Sequence, residues 1–184
     1  MSLLASRSQL RASFARWALL LVPAVVLAGF LSGKLSASGP GNAWFDSLAK
    51  PGIYPPPYLF GVVWTLLYAM MGLAFALVCS AWGARGRMAA IGAFIVQLAL
   101  NLAWSPLFFG AHQITAALVL ILVLDLAVAV TIVLFWRIRT VAGLLLVPYL
   151  AWILFASVLT WQFLQLNPDA DGREVSGAVQ RIKL

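Results

Sequence analysis

The sequence predicts an all-α membrane protein, a bundle of five transmembrane helices built around an inward-facing aromatic and amide surface. Charge spacing is the first observation behind that expectation. No formal charge occurs between Arg16 and Lys34, between Lys50 and Arg85, or between Arg139 and Asp169, and from Arg87 to Arg137 the only one is Asp125. Each of the first three gaps houses a span of about 20 apolar residues, the length set by the hydrocarbon thickness, and the last houses two spans joined by a turn. Composition is the second: the 184 residues are 64% hydrophobic and 9% charged, with a mean hydropathy of +1.00, more apolar surface than one soluble core of this size hides. The expected spans are 17–35, 58–82, 88–109, 114–136 and 141–166.

Residues 1–16 read as a basic, mobile arm ahead of the first span. Arg7, Arg11 and Arg16, an apolar run and then Ser36-Ala37-Ser38 also resemble a secretory signal with a small-residue cleavage site, so the segment reads either way. Residues 36–57 are the one long connection, rich in Gly and Pro. Pro55-Pro56-Pro57 forces extended backbone without amide donors, and the aromatic content (Trp44, Phe45, Tyr54, Tyr58) argues for packing on the membrane or over an opening of the bundle.

In the second span Phe60, Trp64, Tyr68, Met71 and Phe75 share a stripe bordered by small residues, a pattern that serves either core packing or a ligand wall. The third span is more specific. At about 100° per residue, Gln97, Asn101, Trp104 and Phe108 fall in one sector, with Gly92, Ala99 and Ala103 nearly opposite. Amides in hydrocarbon are costly unless paired, so Gln97 and Asn101 face neighbouring helices or a ligand, while the small-residue face is free to meet another helix, including one from a second copy.

The fourth span carries Asp125 near its middle, a functional acid or a hydrogen-bonded structural one. The fifth places Pro148, Tyr149, Trp152, Ala156 and Phe163 on overlapping faces. Pro148 cannot donate to the Leu144 carbonyl, and Ala156 leaves space beside the Trp152 indole. Residues 167–184 are polar enough to be a disordered tail.

A net charge of +7 would suggest nucleic acid in a soluble protein; here the basic residues flank spans, where they reach phospholipid headgroups. Arg7, Arg11, Arg16, Arg85, Arg87, Arg137 and Arg139 share one side without an acid. Lys34, Lys50, Arg173, Arg181 and Lys183 share the other with Asp46, Asp169, Asp171 and Glu174, so the positive-inside rule puts the N-terminus in the cytoplasm. One cysteine, Cys79, excludes an internal disulfide, and no metal-binding, phosphate-loop or glycine-fingerprint motif is present; His112 lies in a short turn as an interfacial residue. Acid-base or nucleophilic catalysis lacks a matched pair in this inventory.

Taken in order, Trp44-Phe45 with Leu48 and Lys50-Pro51, Pro55-Pro56, Phe60, Trp64-Thr65 with Leu67-Tyr68, Gln97-Leu98-Ala99-Leu100-Asn101, Trp104, Phe108-Phe109-Gly110 and Pro148-Tyr149-Leu150-Ala151-Trp152 with Phe155-Ala156 closely resemble the translocator protein family, the tryptophan-rich sensory proteins (TspO/MBR). The resemblance implies the five-helix TspO/MBR bundle, a homodimer, no obligatory cofactor, and a pocket for porphyrins or haem, drug-like apolar ligands and, in some members, sterols. Carried over by position, Trp64, Tyr68, Asn101, Trp104, Trp152 and Ala156 match pocket-lining sites, with Gln97 and Tyr149 beside them. The first loop, with Trp44, Lys50, Pro51, Pro55 and Pro56, matches a lid, and Asp125 matches an aspartate frequent in the fourth helix.

Three departures stand out. Gly52-Ile53 replaces an aromatic or bulky pair, Thr160 replaces a common Asn, and the fifth helix lacks the Tyr-then-basic pattern of the cholesterol consensus, which makes a sterol partner doubtful. The expected function is that of a bacterial-type integral membrane tetrapyrrole-binding protein acting as a sensor, regulator or transporter. The alternatives are a porphyrin-degrading enzyme with Trp64 and Trp152 as redox participants, and a structural or interaction protein without a physiological small ligand.

Overall fold

The computed structural model describes residues 7–173, and what the sequence predicts for residues 1–6 and 174–184 lies outside the described residues. The chain order is α1 (Arg7–Leu35), α2 (Ala43–Ser47), α3 (Pro57–Cys79), α4 (Arg87–Ser105), α5 (Ile114–Ile138) and α6 (Thr140–Leu166), with a π-helical turn, Pro106–Gly110, extending α4. Five helices are long and apolar enough to cross a membrane, and no strand occurs among the described residues. They close into a ring: α1 lies on α3, α3 on α6, α6 on α5, α5 on α4, and α4 returns to α1 and α3.

The outer surface is apolar, the reverse of a soluble protein's, and several polar side chains are held inside. Leu19, Leu27, Leu66, Val119, Leu126, Val141 and Val158 are exposed around the outside, while Gln97, Asn101, Asp125, Ser157 and Thr160 are buried inside. That inversion is what a hydrocarbon solvent requires, since apolar side chains cost nothing facing lipid and polar ones need partners. Close backbone approach sets the α1–α3 contact. A Cβ on Gly72 would stand 2.7 Å from the Val22 Cα and 3.1 Å from the Leu21 carbonyl oxygen, so only glycine lets the two helices meet there.

The ends differ from the sequence reading in three places. Helix α1 begins at Arg7, so residues 7–16 are helical and not a mobile arm. Helix α3 stops at Cys79, short of the expected 82, where the Arg87 guanidinium donates to the Val78 and Cys79 carbonyls and satisfies the helix end. Residues 167–173, expected in a disordered tail, form a packed strap. The Asn167 side chain accepts from the Ala49 amide at 2.8 Å and donates to the Ala49 carbonyl at 3.0 Å. Farther along, the Asp171 carboxylate accepts from the Ile114 and Thr115 amides at the start of α5, an acid placed on the positive end of a helix dipole. Its polar groups are satisfied by backbone that sequence alone cannot bring near.

Candidate functional site

The aromatic stripe of α3 and the amide stripe of α4 face each other, as their periodicity predicts. The Tyr68 hydroxyl donates to Asn101 Oδ1 at 2.8 Å, and from α6 the Tyr149 hydroxyl donates to Gln97 Oε1 at 3.1 Å. Two phenols thus fix two amides across helix boundaries, and all four groups belong to one wall. Trp64 stacks on Tyr68 with ring centroids 5.1 Å apart and meets Tyr149 edge-on at 6.3 Å. One turn toward the lid, Trp152 meets Phe60 edge-on at 5.8 Å and lies beside Phe155 at 5.5 Å, while Trp104 stacks on Phe108 at 4.9 Å. Ala156 is half-buried one turn beyond Trp152. Every sequence-predicted pocket residue therefore faces the bundle interior or its α3–α6 seam.

Among these walls, the Gln97 amide nitrogen and the indole nitrogens of Trp104 and Trp152 are buried without a hydrogen-bond partner. A buried N–H left unpaired costs about 1–3 kcal/mol, so each of the three is a demand for an acceptor.

Asp125 of α5 faces α6. Ser157 donates to its Oδ2 at 2.8 Å, a partner the sequence did not single out, and its Oδ1 is buried and unpartnered. Pro148 sits within the continuous α6 helix with its ring exposed. Gly92, Ala99 and Ala103 lie exposed on the outside of α4, away from the amides.

The connection 36–57 covers one end of this enclosure. Asn42 caps α2 by accepting from the Phe45 amide at 3.0 Å and ties it down by donating to the Phe109 carbonyl at 3.1 Å. Trp44, 1% exposed, donates its indole N–H to the Ala170 carbonyl, stacks on His112 at 4.7 Å and meets Phe108 edge-on at 5.4 Å. Phe45 packs on Phe109 and Phe163, and Tyr54 stacks on Phe60, which joins the lid to the aromatic wall. The Lys50 ammonium donates to the Phe45 and Leu48 carbonyls and stands 4.0 Å from the Phe45 ring centroid. Burial lowers its pKa below the ordinary lysine value, partly offset by Asp46. Pro51 is buried, Pro55 half-buried and Pro56 exposed.

The model of the TspO/MBR family matches residues 20–166. The chain belongs to the TspO/MBR family. The tryptophan-rich protein TspO of Chlorobaculum tepidum is 41% identical over 143 residues, 77% of this chain and 90% of that relative. Human translocator protein is 39% identical over 135 residues, 72% of this chain and 80% of its own length. The tryptophan-rich sensory protein of Cereibacter sphaeroides is 39% identical over 126 residues, covering 68% of this chain and 78% of the relative. The TspO/MBR match runs from within α1 to the end of α6 and includes the connection 36–57, so the resemblance read from scattered motifs holds over a continuous stretch of the fold.

Besides Ser157, sequence reasoning missed Gly29 in this TspO/MBR site. A Cβ on Gly29 of α1 would overlap the Tyr68 ring at its Cε2, Cζ and Cδ2 atoms. Nothing in an apolar helix marks such a glycine, because its reason is a ring on another helix. Gly29→Ala is expected to push Tyr68 off Asn101 and to destabilise the protein by about 1–3 kcal/mol, the usual range for overpacking. Thermal unfolding in detergent measures this, and unchanged stability would mean that the ring has room to turn aside.

Proposed function

We propose that this TspO/MBR protein binds tetrapyrroles, porphyrin or haem, and other flat apolar ligands in the aromatic enclosure, as a sensor, regulator or transporter of such molecules. The observation that carries the reading is the set of three unpartnered N–H donors: the indoles of Trp104 and Trp152, which pack on phenylalanine rings, and the amide of Gln97 beside the Tyr149 phenol. A macrocycle supplies the missing half of each interaction: a flat face for the rings and acceptor groups at its edge for the donors. In the closed state Phe60 meets Trp152 and Trp64 meets Tyr149, so entry requires the α3 and α6 rings to part. The names of two relatives, a sensory protein and a translocator protein, support a ligand-responsive membrane role.

Titration of the purified protein with protoporphyrin, followed by tryptophan fluorescence, tests the proposal. Saturable energy transfer to the macrocycle is expected, and a linear, unsaturable decrease would remove the assignment. The same titration under light distinguishes binding from turnover, since degradation would add new absorbing species.

The acid-free arginine side of the bundle supports a cytoplasmic N-terminus. A homodimer fits the exposed small-residue face of α4, where Gly92, Ala99 and Ala103 offer a second copy close approach. Ala99→Leu or Ala103→Leu is expected to shift dimer toward monomer while leaving porphyrin affinity within about twofold, because the two faces of α4 are opposite. Oligomeric mass in detergent and in nanodiscs reads this directly, and an unchanged mass in both would exclude the interface.

A further inference from the structure

At the end of the bundle remote from the lid, α5 finishes with Trp136, Arg137 and Ile138 before a one-residue turn into α6. A Cβ on Gly143 of α6 would stand 3.0 Å from both the Cβ and the Cε3 of Trp136. Glycine at this position therefore lets the indole lie across the α5–α6 junction and pins one side of it. Trp136 as a whole remains 45% exposed. Below it, Ile132 and Val133 complete a groove of about 280 Å³ whose remaining lining residue is Arg137. The groove is apolar toward the membrane centre and cationic at the interface, and from Ile132 to Arg137 the helix rises about 7–8 Å, the depth of the upper part of an acyl chain.

Charge selects the occupant. Arg11, Arg16, Arg85, Arg87, Arg137 and Arg139 all stand at this end, whereas the described acids are Asp125 in the middle of α5 and Asp46, Asp169 and Asp171 at the lid end. The fifth acid of the sequence, Glu174, lies outside the described residues. A zwitterionic headgroup would bring a cation to a surface already rich in guanidinium; an anionic one complements it. Trp136, flat and partly exposed at the same level, is the residue type that sits where acyl chain meets headgroup.

We propose that this groove seats one anionic phospholipid, with the acyl chain along Ile132 and Val133 against the Trp136 indole and the phosphate on Arg137. Arg139, exposed in the turn, adds positive potential at the same level. The pinned indole makes this more than a general attraction of arginines to a charged bilayer, since it supplies a fixed wall for one chain.

Native mass spectrometry of the full chain, released from nanodiscs of phosphatidylcholine with a minority of phosphatidylglycerol, is the test. Wild type is expected to retain phosphatidylglycerol about fivefold above its share of the bilayer, the scale of one arginine contact at a membrane surface. Arg137→Gln should abolish the preference, Trp136→Ala should reduce retention of both lipids, and Lys34→Gln, at the lid end, should change neither. Soluble glycerol phosphate should not displace the lipid, because it lacks the chain. Retention of the two lipids by wild type in proportion to the bilayer, a preference undiminished in Arg137→Gln, or displacement by glycerol phosphate would each overturn the proposal.

Discussion

Trp64→Ala and Trp152→Ala are each expected to weaken porphyrin binding by about 1–3 kcal/mol, roughly 5- to 150-fold in the dissociation constant, the range for loss of an aromatic anchor. The two residues act differently. Trp64 is held between helices, stacked on Tyr68 and edge-on to Tyr149, so its loss also loosens the phenols that fix Asn101 and Gln97. Trp152 carries an unpartnered indole N–H as well as its ring. Trp152→Phe keeps a face for stacking but no donor, and should therefore recover only part of the affinity lost in the alanine variant. Trp17, whose ring contact is Trp82 at 6.5 Å near the opposite end of the bundle, is the control: Trp17→Phe should leave affinity unchanged. Fluorescence titration of the four variants decides the matter, and wild-type affinity in both alanine variants would remove the enclosure as the binding site.

Periodicity alone gave the inward direction of several side chains in this bundle. Gln97, Asn101 and Phe108 repeat with the helix turn, and a polar or aromatic residue on that period in hydrocarbon has to face protein, so direction followed from spacing. Partners did not follow. Tyr68 and Asn101 meet across two helices, as do Asp125 and Ser157, and which hydroxyl reaches which acceptor depends on helix rotation and register. Gly29 was illegible for the same reason, being a space defined by another helix's ring. The strap of residues 167–173 misled in the opposite direction: its polarity reads as solvated chain, yet Asn167 and Asp171 spend that polarity on the lid backbone and the start of α5. Composition reports how many polar groups a segment has and is silent on whether water or protein satisfies them.

The strap gives the lid an anchor outside the bundle, and Trp44 is the residue through which opening should be controlled. Trp44 is almost wholly buried, packed on Phe108 and His112, with its indole N–H on the Ala170 carbonyl of the strap. Trp44→Ala removes all three contacts at once. By the cost of emptying a buried aromatic site, it should destabilise the closed lid by about 3–5 kcal/mol, while the membrane helices, whose core runs through Met71, Phe94, Leu124 and Tyr149, stay assembled. A loosened lid raises the porphyrin off-rate far more than the on-rate, because closure acts after the ligand has arrived. An off-rate increase of at least tenfold is expected, well below the full closure energy because the aromatic enclosure itself still holds the ligand. Asn167→Ala, which cuts only the paired amide contact to Ala49, should give the same sign and a smaller size. Hydrogen exchange separates this from simple damage: in wild type, porphyrin should slow exchange across 44–58 more than at the start of α1, and in Trp44→Ala that added protection should vanish while α3 and α6 remain protected. Equal exchange with and without porphyrin in wild type, together with an unchanged off-rate in Trp44→Ala, would mean that ligands leave between the helices, and the lid would then be a packed connector with no part in gating.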